Sequence, residues 1–337
     1  MNSFESAETL SVEQRIQHIA KVIRAEEKRL REKYSFLKYQ DWIGFTVMLF
    51  SLAGMVGCAY LYYIDVMPAW LCIICAAIFA SVSHELEHDL IHRQYFSRNA
   101  FMQNLMMLVV WIMRPNTVNP WYRRGMHFLH HRVSGTKKDL EERLVGNGIR
   151  YGFMRFVVMF DGLVGMLARR TALKNDIENF SVMEVLNAAF PLALLYFSCW
   201  YVFLGFHGYD AIWGAETVYP LYLLDAMSFV DFMVVVLIAP NFIRSGSLNF
   251  VTSAMHYYGG VNNLIQQTQI LKPWFLAPMH LFCFNFGSTH AIHHFVVGQP
   301  FYIRQMVAKV AHRVMKEHGV RYNDFSTFFS ANRYHPH

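Results

Sequence analysis

The chain has 337 residues, 54% hydrophobic and 16% charged, with 30 Lys and Arg against 24 Asp and Glu and a positive mean hydropathy. That mix excludes an ordinary soluble enzyme and a chain lying wholly in hydrocarbon, and it predicts a polytopic membrane protein with substantial aqueous parts. The net charge of +6 does not point to nucleic acid, because the basic residues flank apolar runs and form no RNA or DNA motif.

The first forty residues are polar and charged, without a short apolar core and cleavage site, so insertion is expected to rely on internal spans. Ser11 and Gln14 have the spacing of a capping box, and Val12, Ile16, Ile19 and Ile23 follow at helical spacing. This predicts an amphipathic helix from Val12 to about Lys38, on the membrane surface or on the aqueous part, within an N-terminal cytosolic segment 1–41.

Trp42 to about Ile64 is uncharged and long enough to cross hydrocarbon, which takes roughly 20 helical residues. After only Asp65, Val66 and Met67, Pro68 opens a second run, Ala69 to about Val82, so the two form a tight hairpin. Ala100–Met113 is too short to read as a span, and Gly152–Leu167 is interrupted by Arg155 and Asp161. Both read as re-entrant or interfacial helices; four spans become six only if both cross. Ser181 to about Phe206 and Thr217 to about Ile238 make a second hairpin.

All 30 Lys and Arg fall outside the hairpins and their tips, which places both termini on the cytosolic side. Glu184, Asp225 and Asp231 within these runs need hydrogen bonds or protons, since bare carboxylates are costly in hydrocarbon. Past Pro240 the chain returns to mixed polarity, and a basic helix is expected from about Tyr302 to His318. The membrane part is read over 42–300 and a basic cytosolic tail over 301–337. The five cysteines, including the Cys72/Cys75 pair, lie in apolar runs and read as small buried hydrophobes.

The histidines carry the chemistry. His84-Glu85-Leu86-Glu87-His88 places two imidazoles one helical turn apart, and His127-Phe128-Leu129-His130-His131 and His290-Ala291-Ile292-His293-His294 bring three each to one side of a helix. His256 adds a ninth. Imidazole suits first-row transition metals, and so many donors exceed the needs of one ion, so two metals follow. No Cys accompanies the clusters as a closed structural zinc site commonly requires, whereas two redox-active irons with open positions for dioxygen fit. Glu85, Glu87 and Asp89 are candidate acceptors that would orient the rings, or else a polar helix end facing water. The isolated His92, His207 and His280 read as hydrogen-bonded core residues, although His92 continues the first face four residues after His88.

These boxes, H-x-x-x-H, H-x-x-H-H and H-x-x-H-H, in this order between paired spans, resemble those of the membrane fatty acid desaturase and hydroxylase superfamily. That group includes alkane hydroxylases, whose first box has the H-E-x-x-H form, and bacterial decarboxylases that form terminal alkenes. His84–Arg93 and Pro120–Glu142 look closest to the bacterial members. The resemblance implies an all-α polytopic fold of two transmembrane hairpins with a cytosolic helical cap, in a bacterial inner membrane. It implies a non-haem diiron centre held by His84, His88, His127, His130, His131, His256, His290, His293 and His294, with dioxygen as co-substrate.

The implied reaction attacks an unactivated C–H bond of a fatty acid or acyl thioester. Desaturation is the leading reading, with decarboxylation to a terminal alkene and hydroxylation as alternatives. Arg123, Arg124, Arg132, Lys137 and Lys138 are candidates for the head group, or simply anchor the cytosolic face. Relatives acting on acyl-CoA or alkanes carry an Asn four residues before the equivalent of His256, where this chain has Thr252; its nearest upstream Asn is Asn249. No haem, flavin, ferredoxin or nicotinamide motif is present, so electrons are expected from a separate ferredoxin, rubredoxin or cytochrome with its reductase. A His-rich metal transporter is the non-enzymatic alternative, but it would set its ligands near mid-bilayer and not at the ends of spans.

Overall fold

The computed structural model describes residues 10–335; residues 1–9 of the expected N-terminal segment and 336–337 of the tail lie outside the described residues. Among the described residues the protein is all-α, with two isolated bridges, His256 with Thr268 and Ile270 with Tyr322, and no strand.

Helix α1 (Val12–Lys33) begins at the expected capping box: Ser11 Oγ accepts from the Gln14 N–H at 3.2 Å, and Gln14 Oε1 accepts from the Ser11 N–H at 2.8 Å. Its apolar stripe of Ile19, Ala20, Ile23 and Leu30 is buried against the helix Phe301–Glu317 from the far end of the chain. The stripe is used up in that contact, so α1 lies on the helical cap and not on a membrane surface. It ends at Lys33, and a short 3-10 turn, Ser35–Lys38, completes the segment.

The first hairpin is α2 (Gln40–Tyr63) and α3 (Ala69–Ile91). Between them and the second hairpin come α4 (Ala100–Ile112), α5 (Pro120–Val133), α6 (Leu140–Leu144), α7 (Phe153–Phe160), α8 (Gly162–Ala168) and α9 (Arg170–Asp176). Asp161 caps α8 through the Val164 N–H at 2.9 Å, so 152–167 is a bent pair of short helices and not a span. The second hairpin uses α10 (Val182–Ala189), α11 (Leu192–Trp213) and α12 (Leu221–Met233), continued by α13 (Ala239–Met255). The chain closes with α14 (Ala277–Phe282), α15 (Phe286–Phe295) and α16 (Phe301–Glu317).

Four stretches are long and apolar enough to cross a membrane: α2, α3, α11 and the continuous Leu221–Met255. Their outward residues, among them Val56, Leu194, Val202 and Ile212, stay exposed, as lipid-facing surface does in an integral membrane protein. The five cysteines are free, and Cys58, Cys72 and Cys75 pack together between α2 and α3.

Two prolines act differently from the sequence expectation. The run from Ser181 is broken at Pro191, because the residue before a proline is driven out of helical geometry, and Phe190 has ψ 144°. Glu184 therefore sits in the first turn of a short helix and not in a span. Pro240, in contrast, ends nothing. A π turn over Val234–Ile238 widens the helix where the proline ring would meet the carbonyl four residues back, and the helix continues to Met255. Asp231, one of the intramembrane carboxylates, pairs with His207 at 2.7 Å.

The 35 residues of Leu221–Met255 extend about 52 Å at 1.5 Å per residue, well beyond the ~30 Å of hydrocarbon. Its last turns thus leave the bilayer and enter the cap. Helix α3 does the same: every residue from Ala80 to Ile91 is buried. The hairpin itself depends on close approach at Gly54, where an added Cβ would lie 2.4 Å from the Phe79 ring, while at Gly57 nothing stands within 4 Å. Gly54→Ala is expected to destabilise the protein by about 1–3 kcal/mol through overpacking, and Gly57→Ala is expected not to destabilise it. Thermal unfolding of the detergent-solubilised variants checks this; equal melting temperatures would contradict it.

Candidate metal centre

Each histidine-bearing helix has its register set locally. Asn119 Oδ1 accepts from the Tyr122 N–H at 2.8 Å and Pro120 occupies the first turn, so α5 starts there and carries His127, His130 and His131. Phe284 and Asn285 take positive φ, 46° and 59°, turning the chain sharply into α15, which carries His290, His293 and His294. Helix α3 carries His84 and His88 and ends on His92, and α13 ends on His256.

These four elements bring the rings into two adjoining groups of four. His88, His92, His127 and His293 form one; His130, His256, His290 and His294 form the other; within each, one nitrogen per ring lies within 4.8 Å of the rest. His131 stands beside the first group, its Nε2 3.1 Å from His127 Nε2 and 2.9 Å from His293 Nε2, with its ring centroid 5.1 Å from that of His294. His84 falls outside the two groups of four but lines the small hollow that reaches His88, His127, His130 and His290, and its Nε2 is buried without a hydrogen-bond partner. Its Nδ1 lies 3.3 Å from Arg114 Nη1, a group that only donates. His92, read from the sequence as a core residue, belongs to the first group; its signal was the spacing of four from His88.

The chemistry of this donor set fits metal. His84 Nε2, His88 Nε2, His92 Nε2, His256 Nε2, His290 Nδ1 and His293 Nδ1 are buried without a hydrogen-bond partner, and orphaned nitrogens around a shared hollow are satisfied by coordination. Behind them, His127 Nδ1 meets Glu141 at 2.7 Å, His130 Nδ1 meets Asp139 at 2.8 Å, and His294 Nδ1 meets Gln267 Oε1 at 3.1 Å. His256 Nδ1 donates to the Thr252 carbonyl at 2.9 Å and lies 3.3 Å from Glu142. A carboxylate or carbonyl on Nδ1 keeps the proton there and turns the Nε2 lone pair inward. These acceptors, supplied by the start of α6, were not singled out from the sequence; their only signal was an acidic cluster about ten residues after His131. Thr252, at the position of the family's Asn, donates its hydroxyl to Glu142 at 3.4 Å.

Glu85, Glu87 and Asp89 do not face water, and of the three Asp89 comes to 3.7 Å from His88 Nδ1. All three are buried and paired with guanidinium groups: Arg304 reaches Glu85 at 2.9 Å and Asp89 at 3.1 Å, and Arg114 and Arg123 both hold Glu87. Arg304 Nη1 also lies 3.3 Å from His88 Nδ1. Of the expected head-group cations, Arg123 is committed to Glu87 and Glu141, Arg124 to the carbonyls of Leu90 and Ile91, and Lys137 to Asp176 at 3.7 Å. Arg132 and Lys138 are exposed.

A mostly apolar cavity of about 470 Å³ opens beside the rings, between α5, α8, α10, α11 and α13. It shares His84, Arg123, Glu141, Leu248 and Asn249 with a small hollow of about 50 Å³ that reaches His88, His127, His130 and His290.

Burial among like rings holds several imidazoles neutral, the form that binds metal. Burial and the neighbouring His127 push His92 and His131 down to about 2, and burial with His130 pushes His256 down to about 3. His130 is the exception: burial lowers it, but Asp139 prevails and carries it up to about 10. Below the ordinary value of 6.5 the unfolded chain takes up protons that His92, His131 and His256 refuse in the folded state, so stability falls with falling pH, whereas the contribution of His130 is already complete there. The melting temperature is therefore expected to drop between pH 7 and pH 5; one that stays level or rises over that range would contradict the neutral cluster.

Residues 64–326, well over half of the chain, match the fatty acid desaturase family. No protein with a curated description matches the chain. The matched region takes in all four helices that deliver histidines to the two groups. A chain with this match, four apolar helices and this clustering of imidazoles belongs to the fatty acid desaturase family of membrane oxidoreductases.

Proposed function

We propose that the two histidine groups hold two irons, and that the enzyme uses dioxygen to desaturate an acyl chain lying in the neighbouring cavity. The observation that carries this reading is the adjacency of two buried tetra-histidine groups and an apolar hollow of about 470 Å³ in a member of this family. Irons bound there would supply the activation of dioxygen needed to break an unactivated C–H bond. The chain's own part is to hold, orient and exclude water. Asp139, Glu141 and Glu142 keep protons on Nδ1 nitrogens, and the apolar walls from α8, α10 and α11 fix which carbon comes to the centre.

In this reading His88, His92, His127 and His293 serve one metal, His130, His256, His290 and His294 the other, and His131 lies between them. The first box is thus read one turn further along α3 than H-E-x-x-H suggests, and His84 faces the substrate cavity. The centre lies on the cytosolic side, as do both termini, and a separate ferredoxin, rubredoxin or cytochrome with its reductase supplies the electrons.

Metal analysis tests the assignment. His92→Ala and His290→Ala are expected to lose about half or more of the bound iron, while His84→Ala keeps both irons. Iron loss in the His84 variant with full loading in the His92 variant would restore the earlier register. Supplying a fatty acid or its thioester with reductant and oxygen, and identifying products by mass spectrometry, tests the reaction. An internal double bond is expected; a terminal alkene one carbon shorter, or an alcohol, would reassign the chemistry to decarboxylation or hydroxylation.

A further inference from the structure

Arg244, in the second turn of α13, is 1% exposed and lines the large cavity. Its Nε donates to Asn241 Oδ1 at 3.1 Å and its Nη2 to Asn116 Oδ1 at 3.0 Å, both neutral amides. Among the described residues no carboxylate lies within salt-bridge reach of it, and its Nη1 has no hydrogen-bond partner. The other charged side chains lining the cavity, Arg123 and Glu141, pair with each other at 3.3 Å. One guanidinium is therefore left uncompensated on the wall of an apolar hollow.

The other deeply buried guanidinium groups are accounted for differently. Arg304 is held by Glu85 and Asp89. Arg155 does not line the cavity; it donates to the carbonyls of Ile149 and Ser253 and stacks on Tyr151 at 3.9 Å. A guanidinium cannot shed its proton, and a buried charge without a counter-ion is costly, so the position asks for an anion that enters the cavity. Its planar fork matches a carboxylate through two parallel hydrogen bonds. Beside it, Asn116 Nδ2 donates to Ser245 Oγ at 3.0 Å, and Ser245 also lines the cavity.

We infer that Arg244, supported by Asn116 and Ser245, seats the carboxylate of the substrate, and that the substrate is a free fatty acid and not a thioester. The inference rests on reading this cavity as the acyl site. A guanidinium buried this deeply in the wall, at 1% exposure, suits a small anionic head better than a bulky carrier. The head group is then gripped within the same cavity that reaches His84, at the wall opposite the apolar tail, and the five basic residues around α5 have no part in it.

Binding without turnover tests the assignment, with dodecanoate and methyl dodecanoate as probes in the detergent-solubilised full chain. The wild-type protein is expected to bind the acid at least tenfold more tightly than the ester. Arg244→Gln is expected to weaken the acid about 10- to 100-fold, the loss of a charge-assisted pair, with little change for the ester; Arg244→Lys is expected to fall between. Equal wild-type affinities for acid and ester, or undiminished acid binding by a folded R244Q, would overturn the inference. If R244Q does not fold, the wild-type comparison decides alone. Acid binding through Arg244 without any oxygen-dependent acyl oxidation would leave this inference standing and remove the proposed function. Oxidation of a thioester by a protein indifferent to the free acid would do the reverse.

Discussion

The ion pairs of Arg304 with Glu85 and Asp89 are the constraint from which the rest of the site follows. They join α16 to the last turns of α3, at the point where that helix has left the bilayer and carries His88 and His92. Asp89 also accepts from the Tyr95 hydroxyl and the Phe301 N–H, both at 2.8 Å, so one carboxylate fixes the end of α3, the turn after it and the start of α16. Buried charges of this kind are tolerable only when every partner is present, which makes the arrangement specific even where its net stabilisation is small. With α3 locked in rotation, His88 and His92 face α5 and α15, and the two tetra-histidine groups close.

The same logic repeats in outer layers. Glu87 is shared by Arg114 and Arg123, and Arg123 passes on to Glu141, which holds His127. A chain of paired charges therefore runs from α3 through α5 to α6 behind the imidazoles. The long rods α3 and Leu221–Met255 connect this aqueous cap to the membrane without a joint, because both helices continue from hydrocarbon directly into the metal-facing turns.

Much of this architecture was legible in the sequence. Uncharged runs of spanning length, the confinement of Lys and Arg outside them and the Ser11/Gln14 box gave the hairpins and α1, because each is a local signal. The three boxes gave the helices that would meet. From the sequence His84 and His88 read as the ligand pair and His92 as a core residue, because the spacing of four is the same for His84/His88 and His88/His92; that His92 gathers with His88, His127 and His293 depends on long-range packing that no local signal carries. Asp139, Glu141 and Glu142 escaped for the same reason, since an acidic cluster after a basic helix looks like a solvated surface until the fold closes over it. Pro240 read as a terminator because a proline's clash is local, whereas the π turn that absorbs it is not written in any single residue.

The large cavity has one further property. Phe190 and Leu194 belong to its wall and are also 60% and 61% exposed on the outside of the second hairpin. Side chains that line the hollow there are thus also open to the outside, beside the start of a helix apolar enough to cross lipid. A guest crossing there exchanges one oily medium for another, so hydrophobicity contributes little to capture, and discrimination falls to shape and to the few polar groups inside. The concentration that governs occupancy is then the mole fraction in the bilayer and not the amount dissolved in water.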